Sequence, residues 1–201
     1  SMRPPSPPSE SDPHYPAYQR MLAHLQAMTV APHPSGSPAI EEVRAYLLAQ
    51  IRDMGLEPNV DLEVYTVADL EAENRDQDGT SVRTKEPPAE LQDDQPTEIR
   101  TEAVADLHLS NIWVKLDAPG TDRAVLMLAH YDSENDVPGA SDDMTAVCAL
   151  LEAMRVQAGN TGLRNDLIFL FTDGEEHSGL GAKAFVQSHP ELQRAIDLVM
   201  N

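Results

Sequence analysis

The stretch DLIFLFTDGEE, residues 166–176, places a continuous apolar run directly before a polar segment that ends in two adjacent glutamates. An uninterrupted run of this kind predicts a strand that is buried on both faces of a sheet. The run AVLMLA at residues 124–129 has the same character, and a helical pattern at residues 145–156 lies between the two. Strands that alternate with helices predict an α/β fold, with a mixed, largely parallel sheet flanked by helices.

The rest of the chain supplies further elements of such a fold. Ser37 is a suitable N-cap, Pro38 suits the first helical turn, and Gly55 ends the helical pattern that follows. Apolar residues at helical spacing predict helices at residues 18–28, 38–54 and 182–188, and shorter apolar or alternating runs predict strands at residues 60–67, 108–116 and 195–200.

Two segments lack the pattern of a packed domain. Residues 1–16 are rich in proline and poor in aliphatic side chains, which is typical of a linker. Residues 69–105 are rich in acidic side chains and proline, which predicts an acidic surface insertion or loop. The predicted organisation is therefore a linker over 1–16 and one domain over 17–201, with an insertion at about 69–105.

Composition excludes several classes of partner. The formal net charge of -20 argues against binding to nucleic acid and to anionic membrane surfaces, because both would repel this chain. Cys148 is the only cysteine, which excludes a disulfide framework and a zinc site built on thiolates. The sequence also shows no transmembrane segment and no signal peptide.

Polar clusters follow the two buried strands at their carboxyl ends, where ligands bind in open α/β sheets. Taken singly, each has a structural explanation: a hydrogen-bonded histidine, or carboxylates that cap the amino end of a helix. Together they bring one imidazole and several carboxylates to one edge of the sheet, a donor set that suits a cation such as zinc. The clusters are residues 130–133, 139–143 and 173–176.

These motifs, in this order, resemble peptidase family M28, the zinc aminopeptidases. The resemblance covers residues 17–201, apart from the acidic insertion, and implies the phosphorylase/hydrolase type of α/β fold. It is carried by HYD at 130–132, GASDD at 139–143, DGEE at 173–176, the following Gly179 and GA at 181–182, and HPSGSP at 33–38.

The resemblance also implies roles for individual residues. His130 would bind one zinc ion, Asp142 would bridge two, and Glu176 would bind the second. Glu175 would be the general base, and Asp132 would orient His130 by accepting the other ring N–H. The peptide bond that joins Asp142 to Asp143 would be cis.

The family pattern needs two further ligands, an acidic residue at the end of the next strand and a later histidine. The strand predicted at 195–200 runs almost to Asn201, so we expect the domain to be incomplete at its C-terminus. Ser1-Met2 resembles a remnant of tag removal, consistent with a segment taken from a longer protein. We therefore expect weak or absent zinc binding in this fragment, against two ions in a complete domain, and no activity of the fragment alone.

The resemblance implies peptide substrates with a free N-terminus and an extracytoplasmic location, with a possible membrane tether elsewhere in the full protein. Two alternatives stay open. A non-catalytic M28-like ectodomain would be expected to lose ligands, whereas His130, Asp142, Glu175 and Glu176 are all present. A glutaminyl-cyclase-like transferase on the same fold would bind one zinc ion rather than two.

Overall fold

The computed structural model describes residues 6–66, 69 and 106–201, and within these residues it contains one five-stranded sheet in the order β1-β2-β4-β3-β5. The strands are β1 (Asn59–Tyr65), β2 (Leu107–Leu116), β3 (Ala124–His130), β4 (Asp166–Thr172) and β5 (Ile196–Met200). The helices are α1 (Tyr15–Met28), α2 (Pro38–Asp53), α3 (Thr145–Gln157), α4 (Leu180–Ser188) and α5 (Pro190–Ala195), and a turn (Ala140–Met144) that is not helical at Asp142 and Asp143 precedes α3.

The strand pairing confirms the predicted mixed, largely parallel sheet. β3 pairs in parallel with both β4 and β5, whereas β2 pairs antiparallel with β4. In the β3–β4 ladder His130 is the register partner of Thr172, so both strands end at the same edge. The loops that follow β3 and β4 therefore begin side by side.

The apolar run of β4 is explained by helices on both faces of the sheet. Phe169 and Phe171 point into one core, which α1, α2 and α3 cover, because alternate residues of a strand face opposite sides. Ile168 and Leu170 point into the other core, where they pack with Phe185 of α4. A strand covered on both sides needs apolar residues at every position, which is the pattern in the sequence.

The predicted start and end of α2 are confirmed. The Ser37 hydroxyl accepts a hydrogen bond from the Ile40 N–H at 3.3 Å, and Pro38 lies in the first turn. Gly55, just beyond the helix, has a φ of +75°, in the left-handed region that favours glycine. These local signals determine where α2 begins and where it ends.

Several boundaries differ from the sequence predictions. α1 begins at Tyr15, within the predicted linker over 1–16, because Pro16 is accommodated in the first turn where its missing N–H has no helical partner. α4 begins at Leu180 rather than at residue 182. The short helix α5 was not predicted, since six residues are too few to show a helical period.

The chain divides into two units, one formed by Ser1–Glu63 and Leu109–Asn201 and the other by Val64–His108. The predicted acidic insertion over 69–105 lies outside the described residues except for Asp69, so that prediction stays untested. Within this unit the Asp69 carboxylate accepts hydrogen bonds from the Thr66 N–H at 2.8 Å and hydroxyl at 2.7 Å. Among the helices that the structure describes, none combines the length and apolar character that a membrane span requires.

Candidate metal centre

A cavity of about 380 Å³ opens at the carboxyl edge of β3 and β4. Its wall combines apolar strand residues with the polar side chains of all three predicted clusters. The residues that line it are Leu128, His130, Asp142, Asp143, Thr172, Glu175, Gly179, Ala182 and Asn201.

His130 lies at the centre of the polar wall, and its two ring nitrogens have different surroundings. Nε2 lies 3.1 Å from Asp142 Oδ1 and 3.9 Å from Glu175 Oε2. Nδ1 lies 3.1 Å from the main-chain oxygen of Asp132 and 3.4 Å from its carboxylate. Burial of the ring opposes protonation, but the carboxylates of Asp132, Asp142 and Glu175 outweigh it and raise the pKa of His130 to about 9.

The structure brings two of the three predicted ligands, His130 and Glu176, together with Glu175. One ligand atom each from His130, Glu175 and Glu176 lies within 4.8 Å of the others, which is close enough to surround one cation. Asp142 joins them through its 3.1 Å contact with His130. Glu175, predicted as the general base, thus lies as close to His130 and Glu176 as a ligand would.

Asp132 lies beneath this cluster and organises it. Its side chain is fully buried, and its two carboxylate oxygens accept hydrogen bonds from the Glu175 N–H at 3.1 Å and the Glu176 N–H at 3.0 Å. Burial alone would favour the neutral acid, but His130 and these two N–H groups lower the pKa of Asp132. The backbone of both glutamates is therefore held by an ionised Asp132.

The polar turn after β4 is packed tightly against α4. A Cβ atom on Gly181 would lie 1.9 Å from the main-chain oxygen of Asp173, so only glycine allows this approach. Asn111 of β2 joins the same two residues, because its side chain donates to the Gly181 carbonyl at 2.8 Å and accepts from the Asp173 N–H at 3.2 Å. Contacts with β2 and α4 therefore fix the position of the turn that follows β4.

The turn after the first cluster directs Asp142 towards His130. The peptide bond between Asp142 and Asp143 is cis, as the family resemblance implied. Gly139 has a φ of +62°, and its carbonyl accepts a hydrogen bond from the Met144 N–H at 3.1 Å. The N-cap of α3 is Met144, without a side-chain capping bond, so the carboxylate of Asp142 contacts the imidazole rather than capping the helix.

Three residues at the site received no role in the sequence analysis. Ser35, Arg44 and Asp173 form a polar cluster directly behind Asp132. Asp173 had one signal that could have drawn attention to it, since a carboxylate directly after an apolar strand must find buried partners. Ser35 and Arg44 had no such signal, because the aspartates they contact, Asp132 and Asp173, lie 97 to 138 residues away along the chain.

The donor set suits a divalent cation. One imidazole and several carboxylates converge on a partly open cavity, and zinc in proteins binds neutral imidazole nitrogen and carboxylate oxygen. Nδ1 of His130 is occupied by Asp132, which leaves Nε2 to bind. Burial and the carboxylates of Glu134 and Asp132 raise the pKa of Glu176, as expected where negative charges lack a counterion.

The fold and this donor set define an α/β protein with a candidate cation site at the carboxyl edge of a mixed sheet. Residues 111–201 match the model of Peptidase family M28. This part of the chain therefore carries the sequence pattern of that family.

Relatives of known name support the assignment. The chain is 30% identical over 190 residues to the vacuolar membrane protease of Schizosaccharomyces pombe, and 36% identical over 85 residues to human endoplasmic reticulum metallopeptidase 1. These matches cover 92% and 41% of this chain, but only 19% and 9% of the two relatives. The chain therefore spans less than a fifth of the length of either protein.

Solved structures show the same fold at lower sequence identity. An aminopeptidase from Aneurinibacillus sp. strain AM-1 superposes with a TM-score of 0.65 at 15% identity, over 88% of this chain and 68% of that protein. A glutaminyl cyclase from an Acidobacteriales bacterium superposes with a TM-score of 0.63 at 15% identity, over 99% of this chain and 61% of that protein. Peptidases and cyclases thus share this architecture.

Proposed function

We propose that this chain provides the cation-binding edge of a zinc-dependent metallopeptidase of the aminopeptidase type. The observation that carries the proposal is the convergence of His130, Glu175 and Glu176, whose ligand atoms lie within 4.8 Å of one another. Asp142 adds a fourth group, 3.1 Å from Nε2 of His130. The match to the family model and the names of the relatives favour peptide-bond hydrolysis as the chemistry of such a site.

His130, Asp142 and Glu176 are the proposed ligands. Bound zinc would supply a Lewis acid for the scissile carbonyl and would lower the pKa of water. Glu175 is the proposed general base, because its side chain is 53% exposed and can exchange protons with a substrate in the cavity. Asp132 holds Nδ1 of His130 and the N–H groups of both glutamates, which leaves Nε2 and the glutamate side chains free for these tasks.

The finer features of the proposal come from the family resemblance and the relatives. We propose that a complete domain would hold two zinc ions with Asp142 among their ligands, and that residues 17–201 are part of that domain. The substrates would be peptides with a free N-terminus. Relatives named for the endoplasmic reticulum and the vacuolar membrane support an extracytoplasmic site and a membrane-tethered full protein.

Zinc binding tests the site itself. Isothermal titration calorimetry should detect zinc binding, weak in the 201-residue chain and tighter in a form that contains the complete domain, and His130→Ala should weaken it by about 100-fold, the upper end of the range for outer-shell partners of metal ligands. His189→Ala is the matched control, since His189 also pairs with a carboxylate, Asp61 at 2.8 Å, but does not belong to the cluster. Equal zinc affinity of wild type and His130→Ala would contradict the proposed centre.

Hydrolysis tests the role of Glu175. In any form of the protein that contains this chain and cleaves an aminoacyl p-nitroanilide, Glu175→Gln should lower kcat by about 10² to 10⁴. The control is Glu191→Gln, a glutamate that is exposed and pairs with His189. An unchanged kcat for Glu175→Gln would remove Glu175 from the mechanism.

A glutaminyl-cyclase-like transferase is the second candidate, because cyclase structures superpose as well as the aminopeptidase does. Cyclisation of an N-terminal glutaminyl peptide, together with one zinc ion per molecule, would favour the transferase. Release of the N-terminal residue, together with two zinc ions, would favour the peptidase.

A further inference from the structure

A buried carboxylate that is not among the residues lining the 380 Å³ cavity lies behind the candidate centre. The side chain of Asp173 is fully buried, and Oδ2 accepts hydrogen bonds from the Ser110 N–H at 2.9 Å and from Arg44 at 3.2 Å. Oδ1 accepts a hydrogen bond from the Ser35 hydroxyl at 2.6 Å. A buried charge is costly unless it is paired, so these contacts explain how Asp173 is tolerated.

Arg44 connects this carboxylate to helix α2. Its Nε donates to the Tyr131 hydroxyl at 2.9 Å, and the hydroxyl in turn donates to the Ser110 carbonyl at 2.5 Å. A further guanidinium nitrogen pairs with Glu41 at 2.6 Å on the exposed side of the helix. Arg44 is only 12% exposed, so its charge is balanced mainly by Asp173 and Glu41.

Ser35 joins Asp173 to the site. Its hydroxyl oxygen lies 2.6 Å from Asp173 Oδ1 and 3.3 Å from Asp132 Oδ2. Two main-chain contacts hold the same segment against the loop after β3, since the His33 N–H donates to Ser133 Oγ at 2.9 Å and the His33 carbonyl accepts from the Ser133 N–H at 3.4 Å. The segment before α2 is thus attached beside Asp132.

Asp132 connects Ser35 to the turn that contains Glu175 and Glu176. The oxygen of Asp132 that faces Ser35 is also the acceptor for the Glu176 N–H, and its other oxygen accepts from the Glu175 N–H. A shift of this carboxylate would therefore move both glutamates. A continuous path of polar contacts leads from Arg44 through Asp173 and Ser35 to Asp132.

We propose that Ser35 and Arg44, through the buried Asp173, are positioning residues that hold Asp132 and the Glu175–Glu176 turn in the geometry that binds the cation. This inference rests on the proposed function for its consequence in zinc affinity. Its claim that these residues restrain the backbone of Glu175 and Glu176 does not depend on zinc.

The first measurement needs no metal. Amide hydrogen exchange at Glu175 and Glu176, followed by NMR in EDTA, should be about tenfold faster in Ser35→Ala, because Asp132 loses a neighbour that restrains it. Ser35→Thr retains the hydroxyl and should restore slow exchange. Glu41→Gln is the control, since it removes the exposed partner of Arg44 and leaves Asp173 in place. Unchanged exchange in Ser35→Ala would overturn the proposal, whether or not the protein binds zinc.

The second measurement is zinc affinity by calorimetry. Ser35→Ala and Arg44→Met should each weaken binding about tenfold, the lower range for partners of metal ligands. Arg20→Met is the control for general destabilisation, because it breaks an ion pair between α1 and α3. If Arg20→Met lowers zinc affinity as much as Ser35→Ala at an equal fall in Tm, the positioning role is wrong. Absence of zinc binding in a wild-type form that contains the complete domain, with exchange changed as expected, would overturn only the proposed function.

Discussion

Two clusters of ionised side chains differ in how their charges are balanced. Between α1 and α3, Glu152 is bound by Arg20 at 2.6 and 3.0 Å and by Arg155 at 2.8 Å through each carboxylate oxygen. At the carboxyl edge of the sheet, one imidazole faces the carboxylates of Asp142 and Glu175. The first cluster contains its own counterions, whereas the second has an excess of negative charge.

This difference separates a cluster that stabilises the fold from one that suits a ligand. Arg155 and Arg20 lower the pKa of Glu152 to about 2, whereas burial and neighbouring acids raise the pKa of Glu176. Burial and neighbouring negative charges both raise a carboxylate pKa, and a bound cation would offset them at Glu176. We expect zinc to stabilise the protein through the cluster around His130, and we expect acid to weaken the ion pairs of Glu152.

The largest effect is expected where the site is packed most tightly. Gly181→Ala should lower the free energy of unfolding by about 3 kcal/mol, because the new methyl group would overlap the Asp173 carbonyl. Gly179→Ala is the matched control: its φ is +70° but no atom lies within 4 Å of the added Cβ, so a loss of only about 1 kcal/mol is expected. Urea denaturation measures both, and equal losses would show that the close approach of Gly181 to Asp173 adds no cost of its own.

Zinc should stabilise the folded protein through the cluster around His130 and not through the cluster around Glu152. At a free zinc concentration about 100 times the dissociation constant, the free energy of unfolding should rise by about 2.7 kcal/mol. His130→Ala should abolish this rise. Arg20→Met should lower the starting stability and keep the rise, and EDTA should reverse it. Thermal unfolding with and without zinc measures the difference, and a rise of equal size in His130→Ala would place the metal elsewhere.

Acid should weaken the ion pairs of Glu152, with a smaller effect on the free energy of unfolding than zinc has. The pKa of Glu152 is lowered from 4.5 to about 2 in the folded protein, so its stabilisation is complete above pH 4.5 and is lost as the pH falls towards 2. Glu152→Gln should therefore reduce the free energy of unfolding by about 1 kcal/mol at neutral pH. The difference from wild type should shrink below pH 4.5. A difference that is constant from pH 7 to pH 3 would show that the ion pairs contribute nothing.

Much of the fold could be predicted because its signals are local. The apolar runs of β3 and β4 reflect burial on both faces, and Ser37 and Gly55 mark the limits of α2 through their own backbone geometry. The positions of His130 and of the two glutamates after β4 were predicted for the same reason, since the carboxyl ends of parallel strands share an edge. The short helix α5 was missed because it shows no period.

What the sequence by itself determined is which residues end up at one edge of the sheet: strand order along the chain and apolar patterning place His130, Asp142, Glu175 and Glu176 there. What only the tertiary structure decided is how they are held. Asp132 binds the N–H groups 43 and 44 residues further along, and Ser35 lies beside carboxylates 97 and 138 residues away. Hydrogen bonds depend on distance and angle in space, and no local pattern along the chain encodes contacts between residues so far apart.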